Sequence, residues 1–412
     1  MLRSIWLALL LGVLMGLGLA LTATSIPRPL GQPWVRPTAS LLQDAQSQTW
    51  TPQIAFQYYE TEGMDTQFLA EHVDWLMMRY GAEALRDEVR ERGYSSVLPQ
   101  YLLLFQIFGP GPYEDSEAHC EDDYTPLQNN VMWTRDFCDQ AHPHEDWFLH
   151  NGAGERLYTE ERIWNGSHAY QYFMNPGSAG FREFWIDQVR RQRDAGWESL
   201  FLDNVAATYE HISERADNGD GTVAEYDSVE AWQAAVVGML REIRAAFPER
   251  QLWGNIVEAP STADAWDRYR PELDGIQEER FATGWSGQPP LSPEAWLAML
   301  ERAERTLDAG KGVVLYGQGE QSDFARVRFS LASYLLIATP DRRATFRYAH
   351  TSSYDQLWWY PEYELILGEP LGRRYREWGI WVREFACGRV TVDPARQRGE
   401  IERRPCALGG EG

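Results

Sequence analysis

The sequence of 412 residues predicts a single (β/α)8 TIM barrel with a long rim excursion after strand 3 and a C-terminal β element that closes it. Apolar strand-like segments alternate with amphipathic helical segments between residues 53 and 350, an order typical of a parallel sheet. Several of these strands end abruptly in carboxylate or amide side chains. Polar strand ends form the active-site mouth in this class of barrel. The hydrophobic content of 44% is sufficient for one large core.

The fourth strand has the clearest transition from core to cleft. Residues 198–205 read Glu-Ser-Leu-Phe-Leu-Asp-Asn-Val, so β-forming residues give way to Asp203 and Asn204. Because side chains alternate along a strand, Phe201 and Asp203 share one face, while Leu202 and Asn204 share the other. A capping aspartate after a buried strand is the structural alternative. We favour a functional carboxylate because later strands end in the same way.

The other elements follow from periodicity and from the residues that begin and end helices. The predicted strands are 53–59, 73–78, 97–108, 252–258, 273–281, 312–317 and 344–348, and the predicted helices include 65–72, 82–92 and 322–338. Ser178, either Asp227 or Ser228, and Ser292 are expected to cap the helices that begin beside them. Residues 109–165 interrupt the alternation, and 147–158 within them predict a strand, a glycine turn and a returning strand.

The N-terminus predicts export. Arg3 precedes an apolar run over 5–21, so residues 1–25 form a signal peptide or an uncleaved signal anchor. The proline-containing segment 26–50 is a spacer, 51–385 form the barrel, and 386–412 form a disulfide-pinned β tail. The protein is therefore expected to be secreted, or extracytoplasmic and tethered to the membrane by that N-terminal segment alone.

Four cysteines fit an oxidising compartment. We expect the disulfides Cys120–Cys138 and Cys387–Cys406, each of which closes a short local loop. A metal site is the alternative for the first pair, because histidines lie beside it at positions 119, 142 and 144. Residues 216–227 resemble a calcium loop, but Ala216 occupies the first ligand position, so a polar loop over the cleft is favoured. No cofactor is expected.

Net charge and aromatic content limit the classes of molecule that the protein is expected to bind. The net charge of −23 argues against nucleic acid and anionic lipid, and a neutral or cationic ligand is easier to reconcile with it. The 18 tryptophans weakly favour contact with sugar rings. A carbohydrate substrate is thus expected, while the sequence gives no indication of the oligomeric state.

The strand ends supply a set of side chains that should converge on one face of the barrel. The expected substrate-binding residues are Tyr58, Arg79, Asn204, Asn255, Trp285 and Gln318, and the acids are Asp203, Glu258, Glu278 and Glu279. Paired carboxylates among amides and aromatic rings suit glycoside hydrolysis, in which one acid protonates the leaving oxygen and the other attacks carbon or activates water.

The two acids are expected to divide these roles. Asp203, beside an amide, should stay ionised and act as nucleophile or base. Glu279, flanked by Phe281 and Trp285, should have a raised pKa and act as the acid. Glu278 lies on the opposite strand face, so only one of the adjacent glutamates should point inward. Glu278 and Glu258 are alternative acids, for which a salt bridge is the structural interpretation.

Several segments in this order resemble one family. They are Trp147-Phe-Leu-His, Tyr172-Phe-Met-Asn-Pro, Phe201-Leu-Asp-Asn-Val, Asp274-Gly-Ile-Gln-Glu-Glu-Arg-Phe, Leu367-Gly-Glu-Pro-Leu-Gly and Arg383-Glu-Phe-Ala-Cys-Gly. The chain resembles hypothetical glycoside hydrolases with a TIM-barrel domain, which are similar to polygalactosaminidase and α-galactosidase barrels. The resemblance implies a fourth-strand nucleophile at Asp203 and a sixth-strand acid at Glu279. Glu278 departs from it, because that family usually lacks a second acid there.

A glycoside hydrolase acting on an extracellular oligo- or polysaccharide is the leading hypothesis. The second is a non-catalytic glycan-binding envelope protein on the same barrel, for which both carboxylates would be dispensable. The third is a metal-dependent hydrolase that uses the cysteine and histidine residues of the rim excursion. The sugar, the linkage, endo or exo action, and retention or inversion stay open at this point.

Overall fold

The computed structural model describes residues 49–58, 64–109, 136–162, 168–257, 263–341 and 343–406. The predicted signal segment, nearly all of the spacer, Cys120 and Glu258 lie outside these residues. Within the described ranges, no helix combines the length and apolar character needed to cross a membrane.

Eight parallel strands form the predicted barrel, and the prediction of a TIM barrel is confirmed. The strands in chain order are β1 (Ala55–Tyr58), β2 (Trp75–Arg79), β3 (Pro99–Leu103), β4 (Gln106–Gly109), β5 (Tyr158–Arg162), β6 (His168–Phe173), β7 (Ser199–Ala206), β8 (Gln251–Val257), β9 (Gly275–Glu278), β10 (Gly312–Gln318), β11 (Ala344–Ala349), β12 (Tyr375–Glu377), β13 (Ile380–Phe385), β14 (Gly388–Asp393) and β15 (Arg398–Arg403). The barrel sheet has the order β1-β2-β3-β7-β8-β9-β10-β11. A parallel bridge between Ile54 and Phe346 joins its two ends.

Helices surround the barrel and begin at the expected caps. They are α1 (Thr66–His72), α2 (Glu83–Glu91), α3 (Ala179–Arg191), α4 (Tyr209–Arg215), α5 (Val229–Ala246), α6 (Ala263–Tyr269), α7 (Pro293–Asp308) and α8 (Phe324–Leu335). The side chains of Ser178, Ser228 and Ser292 accept backbone N–H bonds at the start of α3, α5 and α7, as expected. Asp323 caps α8.

The barrel interior is filled by large side chains from alternate strand positions. They are Ala55, Trp75, Met77, Tyr101, Phe201, Trp253, Val314 and Tyr316. The indole of Trp253 fits because neighbouring strands carry glycine, since a Cβ on Gly275 or Gly312 would lie 2.1 or 2.3 Å from its ring. This packed interior forms the floor beneath the strand ends and excludes a continuous pore.

The third strand is shorter than predicted. The apolar run 97–108 divides into β3, which belongs to the barrel, and β4, which pairs with β6 in an antiparallel sheet of order β4-β6-β5. The change of partner occurs at residues 104–105, because the backbone N–H of Leu104 bonds to Asp203 whereas the carbonyl of Phe105 accepts from Met174. Burial continues across the junction, so hydrophobicity alone does not reveal it. Of this small sheet, β5 lies within the predicted excursion of residues 109–165, β4 ends where the excursion begins, and β6 follows it.

An antiparallel sheet of strands β12 to β15 follows the barrel. It begins at Tyr375, so two of its strands precede residue 386, where the tail was expected to begin. Val390 and Val392 of this sheet belong to the same apolar cluster as Phe329 and Ala332 of α8. The predicted Cys387–Cys406 disulfide is confirmed and ties the turn between β13 and β14 to the chain after β15.

Candidate active site

Three neighbouring barrel strands bring two carboxylates and one amide together. Asp203 lies in β7, Asn255 in β8, and Glu279 directly after β9, in the strand order β7-β8-β9. The Nδ2 of Asn255 donates to Oδ1 of Asp203 at 3.0 Å and to Oε2 of Glu279 at 2.8 Å. One buried amide group therefore holds both acids at the mouth of the barrel.

Strand alternation explains why these side chains face inward. Phe201 and Trp253, each two residues earlier on its strand, belong to the interior cluster. Leu202 belongs to the separate cluster between the strands and the helices. The predicted face of Asp203 is therefore correct.

Asp203 receives a second hydrogen bond from the hydroxyl group of Tyr101, which donates to Oδ2. Tyr101 lies on β3, the strand beside β7, and its ring stacks on Phe201 with centroids 5.8 Å apart. Each oxygen of the carboxylate thus accepts from a fixed donor. Such bonds fix the orientation of the carboxylate.

Glu279 has the electrostatics of an acid poised near neutral pH. Burial, and then the charge of Asp203, raise its pKa from the ordinary value of 4.5 to about 7, although hydrogen bonds from Asn255 and Tyr354 act in the opposite direction. The Nε2 of the fully buried Gln318 donates to the Glu279 carbonyl at 2.9 Å and also to the Tyr354 hydroxyl. Gln318, which was expected to contact substrate, therefore hydrogen bonds to the backbone of Glu279 and to Tyr354.

Glu278 borders the same cleft as Glu279, but its carboxylate is paired with basic side chains. Its carboxylate forms a buried ion pair with Arg302 of α7 at 2.6 Å, and Arg280 lies at 4.0 Å. The structural interpretation of Glu278 as a salt-bridging residue therefore fits the geometry. Glu258, the other alternative acid, lies outside the described residues.

A cleft of about 300 Å³ opens beside the two acids. Its lining residues are Asn204, His211, Arg215, Asn255, Ile256, Val257, Glu278, Glu279, Arg280 and Trp285. Asn204 has a φ of 55°, which departs from the regular strand, and its Nδ2 donates to Oε1 of Gln106 at 3.1 Å. Three of the residues predicted to bind substrate, Asn204, Asn255 and Trp285, thus line one cleft.

The remaining predicted residues lie at the same ends of other strands. Arg79 is buried at the end of β2, two positions after the interior residue Met77. Tyr58 is the last residue of β1, and its side chain lies outside the part of the chain that the structure describes.

Sequence reasoning missed five residues of this site. Tyr101 and Tyr354 hydrogen bond to the acids, while His211, Arg215 and Arg280 line the cleft. The alternation of side chains along β3 could have identified Tyr101, and the four-residue spacing of His211 and Arg215 could have identified those two residues. The contact of Tyr354 has no such signal, because it depends on the path of the chain after β11.

A larger surface hollow of about 770 Å³ lies at the opposite end of the barrel. It is formed around the starts of β3, β7 and β8, and its lining includes Arg90, Trp197 and Glu198. Arg90 and Glu198 form an ion pair there at 3.2 Å. Chemistry in this fold is carried out at the C-terminal ends of the strands, so the smaller cleft is the candidate site.

The alternatives that involve metal are not supported by the described contacts. Cys138 is disulfide-bonded, and its predicted partner Cys120 lies outside the described residues. The guanidinium of Arg156 lies 3.2 Å from Nδ1 of His142. In the calcium-like segment, Asp220 Oδ2 accepts from the backbone of Gly152 at 2.9 Å. Among the described residues, no group of three or more histidine, cysteine or acidic side chains is arranged to hold a metal ion.

The fold is a TIM barrel, and two acidic side chains lie at its mouth. Hydrolytic enzymes of this fold use acids in that position. Residues 113–389 match the sequence profile of hypothetical glycosyl hydrolase family 15. The chain belongs to this family and is a glycoside hydrolase, which confirms the predicted family and class of enzyme. No curated protein sequence matches the chain significantly.

Solved structures of low sequence identity are also similar. The glycoside hydrolase domain of PelA from Pseudomonas aeruginosa is 14% identical, with a TM-score of 0.45, over 74% of this chain and 97% of that domain. Aspergillus fumigatus Ega3, solved in complex with galactosamine, is 10% identical, with a TM-score of 0.40, over 74% and 93%. Eubacterium rectale Amy13B is 11% identical, with a TM-score of 0.43, over 76% and 69%.

Proposed function

We propose that the protein hydrolyses an extracellular oligo- or polysaccharide through Asp203 and Glu279, with retention of anomeric configuration. The observation that carries this proposal is the shared contact of both carboxylates with Asn255. This contact holds the two carboxyl groups close together at the mouth of the barrel, an arrangement that supports a two-carboxylate mechanism.

In the first step, Glu279 transfers its proton to the glycosidic oxygen while Asp203 attacks the anomeric carbon. The C–O bond to the leaving group breaks, and a covalent glycosyl ester forms on Asp203. In the second step, Glu279 takes a proton from water, whose oxygen displaces Asp203 from the same carbon. A pKa of about 7 allows Glu279 to act as acid and then as base near neutral pH.

The geometry of the pair supports retention. The same nitrogen of Asn255 lies 3.0 Å from one carboxylate oxygen and 2.8 Å from the other. Since two points cannot be further apart than the sum of their distances to a third, these oxygens are separated by less than about 6 Å. Retaining enzymes have separations of about 5–5.5 Å, whereas inverting enzymes need about 6.5–9.5 Å to admit water.

An extracytoplasmic location is part of the proposal. The Cys387–Cys406 bond, the disulfide-bonded Cys138 and the N-terminal signal segment support it, because disulfides persist mainly in oxidising compartments. Fractionation of cells that produce the native full-length chain tests it. Recovery of the protein in the cytoplasm with reduced thiols would contradict it.

The Asp203→Asn variant tests the mechanism. Asn is nearly isosteric but cannot attack carbon, so we expect kcat to fall by about a thousandfold or more while the fold and glycan binding persist. Asp187→Asn, on the exposed surface of α3, is the matched control and should retain turnover. The measurements are turnover of a glycan found by screening, circular dichroism, and NMR of the first anomer released.

Three outcomes would contradict parts of the proposal. Turnover of Asp203→Asn near the wild-type value would show that Asp203 has a structural role. Release of the opposite anomer would replace retention with inversion. Glycan binding without hydrolysis by the wild type, on every glycan that binds, would favour the non-catalytic glycan-binding alternative.

A further inference from the structure

Two arginines, Arg215 and Arg280, line the cleft beside the acids, and within the described residues their charges are neutralised weakly or not at all. The chain carries 61 acidic and 38 basic residues, so acidic partners are plentiful for its arginines. Within the described residues, however, the guanidinium of Arg215 forms no ion pair although it lines the cleft. An arginine without a carboxylate partner at this position is available to a ligand.

The spacing in α4 directs this charge toward the cleft. His211 and Arg215 are four residues apart, so they lie on one face of the helix, and both line the cleft. Glu210 and Glu214 have the same spacing on an adjacent face, and neither is among the lining residues. The helix therefore separates its basic residues, which face the cleft, from its acidic residues.

Arg280 adds a second cation from the loop after β9. Among the described residues it pairs with the carboxylate of Glu278, which lies at 4.0 Å and is already bonded to Arg302 at 2.6 Å. The guanidinium of Arg280 lies 5.9 Å from the centroid of the Trp285 ring. A flat aromatic surface and a weakly paired guanidinium are thus next to each other in the wall of the cleft.

The neighbouring histidine is affected by these cations. Burial lowers the pKa of His211 to about 4, and the positive charges of Arg215 and Arg280 contribute in the same direction. His211 is therefore neutral at ordinary pH and offers hydrogen bonds without charge. The permanent positive charge in the described lining is that of the two arginines.

We propose that the sugar bound in this cleft is a hexuronate, so that the substrate is an acidic glycan. This inference rests on the proposed function and specifies its substrate class. The planar guanidinium groups of Arg215 and Arg280 match a carboxylate, with which arginine forms paired hydrogen bonds. Trp285 supplies a surface for the sugar ring, and a volume of about 300 Å³ suits one such unit. Burial of the sugar carboxylate against two cations offsets its loss of hydration.

A binding experiment with carboxyl-reduced controls tests the proposal. The full-length Asp203→Asn protein is titrated calorimetrically with trimers of galacturonate, glucuronate, mannuronate and guluronate, and with each trimer after reduction of its carboxyl groups. We expect at least one acidic trimer to bind about tenfold or more tightly than its reduced form. Equal affinity for every acidic trimer and its reduced form would overturn the inference, as would exclusive binding of sulfated neutral trimers.

Variants of the two arginines locate the effect. Arg215→Gln and Arg280→Gln, each combined with Asp203→Asn, should reduce the preference for the acidic trimer to about threefold or less. Binding of the reduced trimer should change little. Arg190→Gln, on the exposed surface of α3, is the matched control and should keep the full preference. A preference that persists in both cleft variants would place the anion elsewhere and overturn the proposal.

The results also separate this inference from the mechanism. If the wild-type enzyme cleaves a neutral glycan through Asp203 and shows no acidic preference, the substrate class is wrong and the mechanism stands. If the acidic trimer binds through the arginines but Asp203→Asn cleaves it as fast as the wild type, the mechanism is wrong and the inference about binding stands.

Discussion

Glu278 and Glu279 are adjacent in sequence, yet they lie in two different regions of the barrel wall. Glu278 enters the layer between strands and helices and pairs with Arg302 at 2.6 Å. Glu279 enters the mouth of the barrel, where burial and Asp203 raise its pKa to about 7. The carboxyl group of a glutamate is thus paired with a cation in one region, and it binds a proton more readily in the other.

The difference shows how a barrel separates stability from chemistry within a single dipeptide. The outer layer supplies the guanidinium of Arg302, which forms an ion pair with the buried carboxylate. The inner face supplies burial and a second carboxylate, that of Asp203, which make holding a proton favourable although the hydrogen bond from Asn255 acts in the opposite direction. Glu278 ends β9 and Glu279 follows it directly, so the alternation of side chains continues past the strand end and separates the two glutamates.

The largest expected effect is on catalysis at the inner face. Glu279→Gln cannot donate a proton, so we expect kcat to fall by about 10²–10⁴-fold for substrates with poor leaving groups. Substrates with activated aryl leaving groups need little protonation and should lose much less. Kinetics on a matched pair of natural and aryl glycosides measures the difference. An equal loss on both would mean that Glu279 is not the proton donor.

The pH profile provides a control for this result. Because donation requires the protonated form, kcat/KM of the wild type should fall about tenfold per pH unit above pH 7. On the natural glycoside, the residual activity of Glu279→Gln should lack this alkaline limb. A limb that persists unchanged in the variant would assign it to another group.

In the outer layer, substitution of Glu278 should affect the stability of the fold. Glu278→Gln leaves Arg302 as a buried cation without its carboxylate, so we expect the free energy of unfolding to fall by about 3–5 kcal/mol. The turnover of the molecules that remain folded should be close to the wild-type value. Denaturant unfolding and active-site titration measure the two quantities. Loss of turnover with unchanged stability would reverse the roles assigned to the two glutamates.

The smallest expected effect is a gain of stability at the inner face. The folded state raises the pKa of Glu279, so its proton stabilises the fold fully below pH 4.5 and this contribution is lost as pH rises through about 7. Glu279→Gln should therefore match the wild type near pH 4. It should exceed it at pH 8 by up to about 3 kcal/mol. Thermal unfolding at both pH values measures this, and a variant less stable at pH 8 would contradict it.

The sequence was sufficient for the barrel because its strands and helices alternate with clear stops. It also placed Asp203 on the interior face, since alternation from Phe201 requires it. It did not reveal the division of residues 97–108, because β3 and β4 are both buried and differ only in the strands that they pair with. Pairing partners far apart in the chain leave no local pattern.

The candidate site was predictable only where local strand patterns place its residues. Asp203, Asn255 and Glu279 were identified because each ends or follows a strand, whereas Tyr354 depends on contacts made after the last barrel strand. The charge of the cleft was not predictable from the net charge of −23, which favours neutral or cationic ligands. Arg215 shows that the local field depends on which face of a short helix is turned inward.

Arg326 of α8 has a consequence for how this enzyme can diversify. Its guanidinium donates to the carbonyls of Gln318, Thr283 and Trp285 at 2.5, 2.7 and 3.3 Å. The loop that carries the aromatic wall and the strand end that supports the acid are thereby fastened to one side chain. If Glu279 is the proton donor proposed above, an insertion that widened the cleft would disturb it as well. New specificities should therefore evolve first by substitutions on α4, outside this shared anchor.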